Sequence, residues 1–196
     1  SGRANPAQIA IEGGSAGGFT TLACLCFSDV FRVGACRYAV CDLSAMAEDT
    51  HRFEARYLDS LVGAWPAERR TYEERSPLKH ADRIGCPVLF FQGLRDRVVL
   101  PEQTERMAEA LRANGIPVEV RLFEQEGHGF RDSHVQIQVL EETEAFFRQH
   151  LQLGSHLSPS TDPSTVVSQE GDGGGEFLTE PIDLIDGGDE AETGSG

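Results

Sequence analysis

The sequence lacks any apolar run that approaches the roughly 20 residues a membrane-spanning helix needs. No secretory signal is recognisable near its first residue, which is Ser1 rather than Met. From the missing apolar run we expect no membrane as a partner of this chain.

Positive charge is missing from one long stretch, since residues 153–196 contain ten acidic side chains and no Lys or Arg. That stretch contributes −10 to the formal net charge of −15, which leaves −5 for residues 1–152. It is also rich in Ser, Pro and Gly and has too few apolar residues to form a core. We predict one folded domain over 1–152 and a disordered acidic tail over 153–196. The acidity argues against nucleic acid as a partner.

Cysteine pairs of the zinc-binding or redox type are absent. The spacing Cys24-x-Cys26 is wrong for both, and no paired-histidine motif follows it. The five cysteines are Cys24, Cys26, Cys36, Cys41 and Cys86. They are expected to be buried free thiols, which indicates a reducing intracellular location such as the cytoplasm or an organelle stroma or matrix. No metal and no organic cofactor is expected.

What the sequence does contain is an alternation of apolar strands with amphipathic helices. Predicted strands lie at Ile9–Ile11, Val33–Val40, Cys86–Gln92 and Val118–Phe123, and predicted helices at Phe19–Phe27, Pro101–Gly115 and Ser133–Leu151. Short helices are expected between Asp42 and His80. This order predicts an α/β fold, a parallel sheet with helices on both faces. The partly alternating last strand is expected near the sheet's edge.

A glycine-rich turn follows the first predicted strand. Gly13-Gly14-Ser15-Ala16-Gly17 fits the G-x-S-x-G pattern of a nucleophilic serine on a strained strand-to-helix turn. We expect side chains at the flanking glycines to collide with the strand and the helix. The backbone amide of Ala16 would then face a developing oxyanion at a helix N-terminus. The rival, a phosphate-binding loop, lacks its Lys-Ser/Thr ending.

A nucleophilic serine needs a base and an orienting acid, expected later in the chain and past later strands. Asp96 directly follows the third predicted strand, and His128 directly follows the fourth. All three would lie at the carboxyl edge of a parallel sheet, where such folds form their sites. Asp42, just past the second strand, is a competing acid, although Asp96 is favoured. The other histidines fall in the insert, on helices or in the tail.

Several segments in order resemble peptidases of the prolyl oligopeptidase family, especially its acylaminoacyl-peptidase and dipeptidyl-peptidase-like branch. They are Ile11–Gly18, Arg56–Leu61, Ser76–Leu78, Phe91–Val99 and Glu126–Phe130, and the resemblance covers about residues 5–152. It implies an α/β-hydrolase fold and a serine peptidase that cleaves short peptides. It also implies Ser15 as nucleophile, Asp96 as acid and His128 as base.

The resemblance extends to the C-terminal part of such a peptidase, because this sequence contains the last four strands of the usual sheet. Members of the family carry a β-propeller and the first strands of the sheet upstream. The region of those first strands also provides a tyrosine hydroxyl that donates a hydrogen bond to the oxyanion. We therefore expect a fragment whose missing parts come from the same parent chain. Two alternatives stay open: an esterase or thioesterase of the same fold, or a truncated non-catalytic remnant that acts as a binding module.

Overall fold

A computed structural model describes residues 4–49 and 57–153. The elements in chain order are β1 (Ala10–Gly14), α1 (Ala16–Phe27), β2 (Val33–Arg37), α2 (Leu43–Asp49), α3 (Tyr57–Leu61), α4 (Arg69–Arg75), a 3₁₀ segment (Pro77–Arg83), β3 (Val88–Gly93), α5 (Pro101–Ala113), β4 (Val118–Phe123) and α6 (Ser133–His150). The predicted acidic tail lies outside the described residues from position 154 onward, so its predicted disorder and the domain boundary stay predictions. His51 and His156 also lie outside them.

The four strands form one parallel sheet in the order β1-β2-β3-β4, which confirms the predicted α/β architecture. Every residue of β3 is buried, as expected for a central strand covered on both faces. β4 is largely half-buried and lies at one edge, as its alternating sequence predicted. β1 lies at the other edge and, within the described part of the chain, pairs with β2 alone.

Helices cover both faces of the sheet because side chains alternate along each strand. In β3, Val88 and Phe90 pack with Leu22 of α1 and Leu111 of α5, in the larger apolar cluster. Leu89 and Phe91, on the other face, pack with residues of α6, among them Val139 and Phe146. Burying each of these side chains contributes about 1.5–3 kcal/mol, so the two clusters fix the sheet between its helices.

Several strand boundaries differ from the prediction, and β3 runs from Val88 to Gly93 rather than from Cys86 to Gln92. β1 continues through Gly14 because glycines pair with β2 as extended backbone. β2 ends at Arg37 rather than Val40, because Tyr38 has a φ of 39°, which leaves the extended region. The apolar side chains beyond that point are buried in a loop, at Ala39 and Val40, rather than in a strand.

The insert between β2 and β3 folds into short helices, as predicted, where the structure describes it. Its own small core joins Leu43 and Tyr72 to Val40 and Val99, which lie just past the carboxyl ends of β2 and β3. The insert therefore covers that end of the sheet.

All five cysteines are free thiols; Cys26, Cys36 and Cys41 are buried as expected, whereas Cys24 and Cys86 are only partly buried. Burial raises the pKa of the Cys86 thiol to about 11 and that of the Cys26 thiol to about 12. Among residues 4–49 and 57–153, no helix combines the length and the apolar character that crossing a membrane would require.

Candidate active site

Ser15 lies at the turn between β1 and α1 with a backbone that few residues adopt. Its φ is 55° and its ψ is −120°, and such a conformation costs about 1–3 kcal/mol, which the surrounding contacts must offset. The Ser15 amide donates to the carbonyl of Arg37, at 3.0 Å, which ties the turn to the end of β2. Serine at a helix N-cap usually accepts a hydrogen bond from the helix, yet this hydroxyl makes none. The side chain is therefore available for another partner.

The neighbouring glycines explain part of this geometry. A Cβ at Gly13 would lie 2.3 Å from the carbonyl oxygen of Gly17, and one at Gly18 would lie 2.5 Å from the Ala39 Cβ. A Cβ at Gly14 would lie 3.1 Å from the Tyr38 ring. The expectation that every flanking glycine avoids a collision is wrong at Gly17, where a Cβ would meet nothing within 4 Å among the described residues. Gly17 lies in the first turn of α1, and the space beside it is open.

The Ser15 hydroxyl belongs to a chain of two hydrogen bonds. Its Oγ lies 2.8 Å from Nε2 of His128, and Nδ1 of the same ring lies 2.9 Å from Oδ2 of Asp96. Because an ionised carboxylate can only accept, Nδ1 carries the ring proton and Nε2 accepts from the serine hydroxyl. The Asp96 side chain is fully buried, whereas that of His128 is 23% exposed. The three predicted residues thus form one linear array that opens to solvent at the serine.

The loop after β3 holds the acid in place. Oδ1 of Asp96 accepts from the backbone amides of Val98 and Val99, both at 2.9 Å, so Oδ2 is left for the imidazole. Asp42, the competing acid, is bound elsewhere. Its Oδ1 accepts from two amides in the first turn of α2, and its Oδ2 lies 3.2 Å from the Arg106 guanidinium. The carboxylate of Asp96 is therefore the one paired with His128.

The loop after β4 positions the imidazole, and Glu126 organises this loop. The buried Glu126 carboxylate accepts from the amides of Arg131 and Asp132, at 2.9 and 3.0 Å. Its backbone carbonyl accepts from the amide of Arg95, at 2.9 Å, which joins the histidine loop to the acid loop. A Cβ at Gly93 would lie 2.4 Å from that same carbonyl oxygen, so only glycine permits the two loops to approach this closely.

Aromatic rings pack beside the histidine. The Tyr38 ring lies 4.9 Å from the His128 ring and 5.0 Å from the Phe130 ring, centroid to centroid. Phe130 in turn packs edge-on against Phe123, the last residue of β4. These contacts limit the rotation of the imidazole and exclude water from one of its faces.

The remaining described histidines have other partners. His80 lies 2.8 Å from the carbonyl of Glu74, His134 pairs with Asp132, and His150 contacts the Phe146 ring. In the part of the chain that the structure describes, no three metal-binding side chains are grouped so that they could hold an ion.

The predicted oxyanion donor, the backbone amide of Ala16, lies at the start of α1. Ala16 directly follows Ser15 and is the first helical residue, so its N–H has no acceptor within the helix. The helix dipole adds a partial positive charge at this end. The geometry therefore supplies one donor for negative charge next to the serine hydroxyl.

Sequence reasoning missed three residues that contact this array or its loops: Gln92, whose amide nitrogen lies 3.4 Å from Oδ2 of Asp96, Glu126 and Tyr38. Gln92 had a detectable signal, because it is a polar side chain in an otherwise apolar strand. The Glu126 signal was weaker, since acidic residues are common in turns. Nothing in the sequence pattern distinguished Tyr38 from an ordinary strand residue.

Comparisons with known proteins identify the family of this chain. A family model, that of the prolyl oligopeptidase family, matches residues 1–154. Dipeptidyl aminopeptidase BIII of Pseudoxanthomonas mexicana is 35% identical over 129 residues, which are 63% of this chain and 19% of that protein. The acylamino-acid-releasing enzyme of Arabidopsis thaliana is 30% identical over 135 residues, 65% of this chain and 18% of that protein.

Among solved structures, a puromycin-hydrolyzing peptidase of Mycobacterium tuberculosis superposes with a TM-score of 0.73 at 50% identity. The superposition covers 76% of this chain and 22% of that one. This chain therefore spans about a fifth of the length of each of these relatives.

Proposed function

This chain belongs to the prolyl oligopeptidase family of serine peptidases, and we propose that Ser15, His128 and Asp96 are its catalytic triad. The observation that carries the proposal is the unbroken pair of hydrogen bonds from the serine hydroxyl to the buried carboxylate, at 2.8 and 2.9 Å. Ser15 is also the one member whose backbone is strained, and backbone strain is concentrated at functional sites.

The reaction we propose is acyl transfer. His128 Nε2 takes the hydroxyl proton of Ser15 as Oγ attacks a peptide carbonyl carbon, and the carbonyl oxygen becomes an oxyanion beside the Ala16 amide. The imidazolium then gives its proton to the leaving amine as the carbon–nitrogen bond breaks. Water, deprotonated by the same imidazole, releases the acyl group from Ser15. Asp96 holds the ring in the tautomer that this sequence needs.

We propose an amide bond in a short peptide as the substrate of the whole protein. The relatives' names support this choice, since they describe a dipeptidyl aminopeptidase, an acylamino-acid-releasing enzyme and a puromycin-hydrolyzing peptidase. The free thiols support an intracellular location, which belongs to the same proposal.

A fluorophosphonate probe tests the nucleophile, because it phosphonylates an activated serine hydroxyl. The wild-type protein in its natural length should be labelled on Ser15, and the variant Ser15→Ala should not react. Ser133→Ala is the matched control, since Ser133 is an exposed serine at the start of α6, and it should be labelled like the wild type. Equal labelling of Ser15→Ala and the wild type would contradict the assignment.

A chromogenic peptide amide and its matched ester test the kind of acyl substrate. We expect turnover of both, because a peptidase also cleaves the more reactive ester. Turnover of the ester alone would indicate an esterase or thioesterase instead. A folded protein that reacts with neither substrate and not with the probe would indicate the binding module.

A further inference from the structure

Gln92 is a buried polar side chain at the end of the central strand. It lies in β3 and is fully inaccessible to solvent. Its amide nitrogen lies 3.4 Å from Oδ2 of Asp96, the oxygen that also accepts from His128. The same nitrogen lies 3.1 Å from the carbonyl oxygen of Gly93 and 3.3 Å from that of Val99. The two amide hydrogens are therefore directed at the acid and at the loop that carries it.

Thr104 holds the other end of the Gln92 amide. It belongs to α5, it is buried, and its hydroxyl donates to Oε1 of Gln92 at 2.9 Å. The oxygens around the amide nitrogen, those of Asp96, Gly93 and Val99, can only accept hydrogen bonds, so the NH₂ group faces Asp96 and the amide oxygen receives the Thr104 hydroxyl. The reversed amide would place an oxygen against the carboxylate, where two acceptors repel each other.

We infer that Gln92, oriented by Thr104, is a positioning residue for the acid of the proposed triad. The amides of Val98 and Val99 hold Oδ1 of Asp96, and Gln92 holds Oδ2, so donors act on both ends of the carboxylate. Without Gln92 the carboxylate would be restrained only at Oδ1, and Oδ2 would be less well aligned with the ring proton of the histidine. The inference rests on the proposed function, since it assigns a role relative to that acid.

The test compares two substitutions of Thr104 in the purified protein of natural length. Thr104→Val is isosteric and removes the hydroxyl, so we expect kcat for a chromogenic peptide to fall about tenfold, about 1.4 kcal/mol in the barrier. KM should change little, because Thr104 lies behind the acid rather than against the substrate. Thr104→Ser keeps the hydroxyl and should restore kcat.

A matched control comes from α6. The Thr143 hydroxyl is buried and has no hydrogen-bond partner among the described residues, so Thr143→Val should leave kcat unchanged. If Thr104→Val is as fast as Thr143→Val, the inference is wrong. It is equally wrong if Thr104→Ser is as slow as Thr104→Val, because packing rather than the hydroxyl would then be responsible.

A second substitution keeps the test decisive if Thr104→Val does not fold. Gln92→Met has nearly the same shape and removes both amide hydrogens, so it should slow kcat by a similar factor. A wild-type kcat in Gln92→Met would overturn the inference. Failure of the proposed function would look different, since Ser15→Ala would then react with the probe like the wild type.

Discussion

Glu126 offers the sharpest test of how the site is held together, and the change to examine is Glu126→Gln. The wild-type carboxylate accepts from the amides of Arg131 and Asp132 in a site that is 6% exposed. Glutamine has the same shape but a single acceptor oxygen. Its NH₂ group must therefore face one of the two backbone N–H groups, which loses its acceptor.

The size of the effect can be worked out from that lost acceptor. One hydrogen bond to a charged group contributes about 1.5–3 kcal/mol, and an orphaned buried donor adds to the loss. A loss of about 2 kcal/mol lowers Tm by about 4–8 °C in a domain of about 150 residues. Activity should fall further than stability suggests, because His128 lies two residues away. A displacement of about 1 Å in such a group can reduce the rate about 100-fold.

The assay combines thermal unfolding by circular dichroism with the rate of phosphonylation by the fluorophosphonate probe. Glu124→Gln is the matched control, since it makes the same change of charge at an exposed position on the same loop. We expect Glu124→Gln to match the wild type in both measurements. If Glu126→Gln also melts and reacts like Glu124→Gln, the two backbone hydrogen bonds do not position the histidine loop and the reasoning fails.

Two further predictions concern the backbone and the thiols. Gly93→Ala should lower Tm and slow phosphonylation of the nucleophile, because its Cβ would lie 2.4 Å from a backbone oxygen. Gly85→Ala is the control and should change neither measurement, because a Cβ there would meet no described atom within 4 Å. A wild-type Tm and phosphonylation rate in Gly93→Ala would contradict the close approach of the two loops. Burial also raises the pKa of the Cys41 thiol well above its usual 9.0, so above pH 9 the unfolded thiol ionises and the native one does not. Stability should therefore fall with rising pH, by about 1.4 kcal/mol per such thiol at pH 10. Urea unfolding measured at pH 8 and at pH 10 should show a smaller loss of unfolding free energy for Cys41→Ala than for the wild type. An equal loss in both proteins would refute this.

The sheet and the order of the three chemical groups were predictable from sequence for a physical reason. Parallel strands buried on both faces must be apolar throughout, so Val88–Phe91 stands out from its surroundings. The pattern around Ser15 is equally restrictive, because few residues fit beside the turn. The loops that follow parallel strands all lie at one edge of the sheet, and this constraint predicted that Asp96 and His128 lie near Ser15.

The choice between Asp96 and Asp42 could not be made from local sequence. Both lie past the ends of strands and both are buried. The difference lies in partners that are distant in the chain, since Asp42 pairs with Arg106 of α5. Likewise the end of β2 was predicted too late, because Val40 is buried against the insert rather than in a strand. An apolar pattern indicates that residues are buried, and it does not indicate whether they belong to a strand or to a buried loop.

The position of Tyr38 shows why the array needs more than its three members. The nucleophile lies after β1 and the base lies after β4, three strands away, which separates the two strand ends by about 14 Å. The histidine loop must therefore reach back across the ends of β3 and β2, and its ring needs support on the way. Tyr38 lies directly after β2 and fills this interval, since its ring contacts His128 and lies close to the backbone of Gly14. Its left-handed φ of 39° directs the chain out of the strand at the place where that support is required. The two residues with left-handed φ beside the array, Ser15 and Tyr38, thus both lie where the histidine loop meets the ends of β1 and β2.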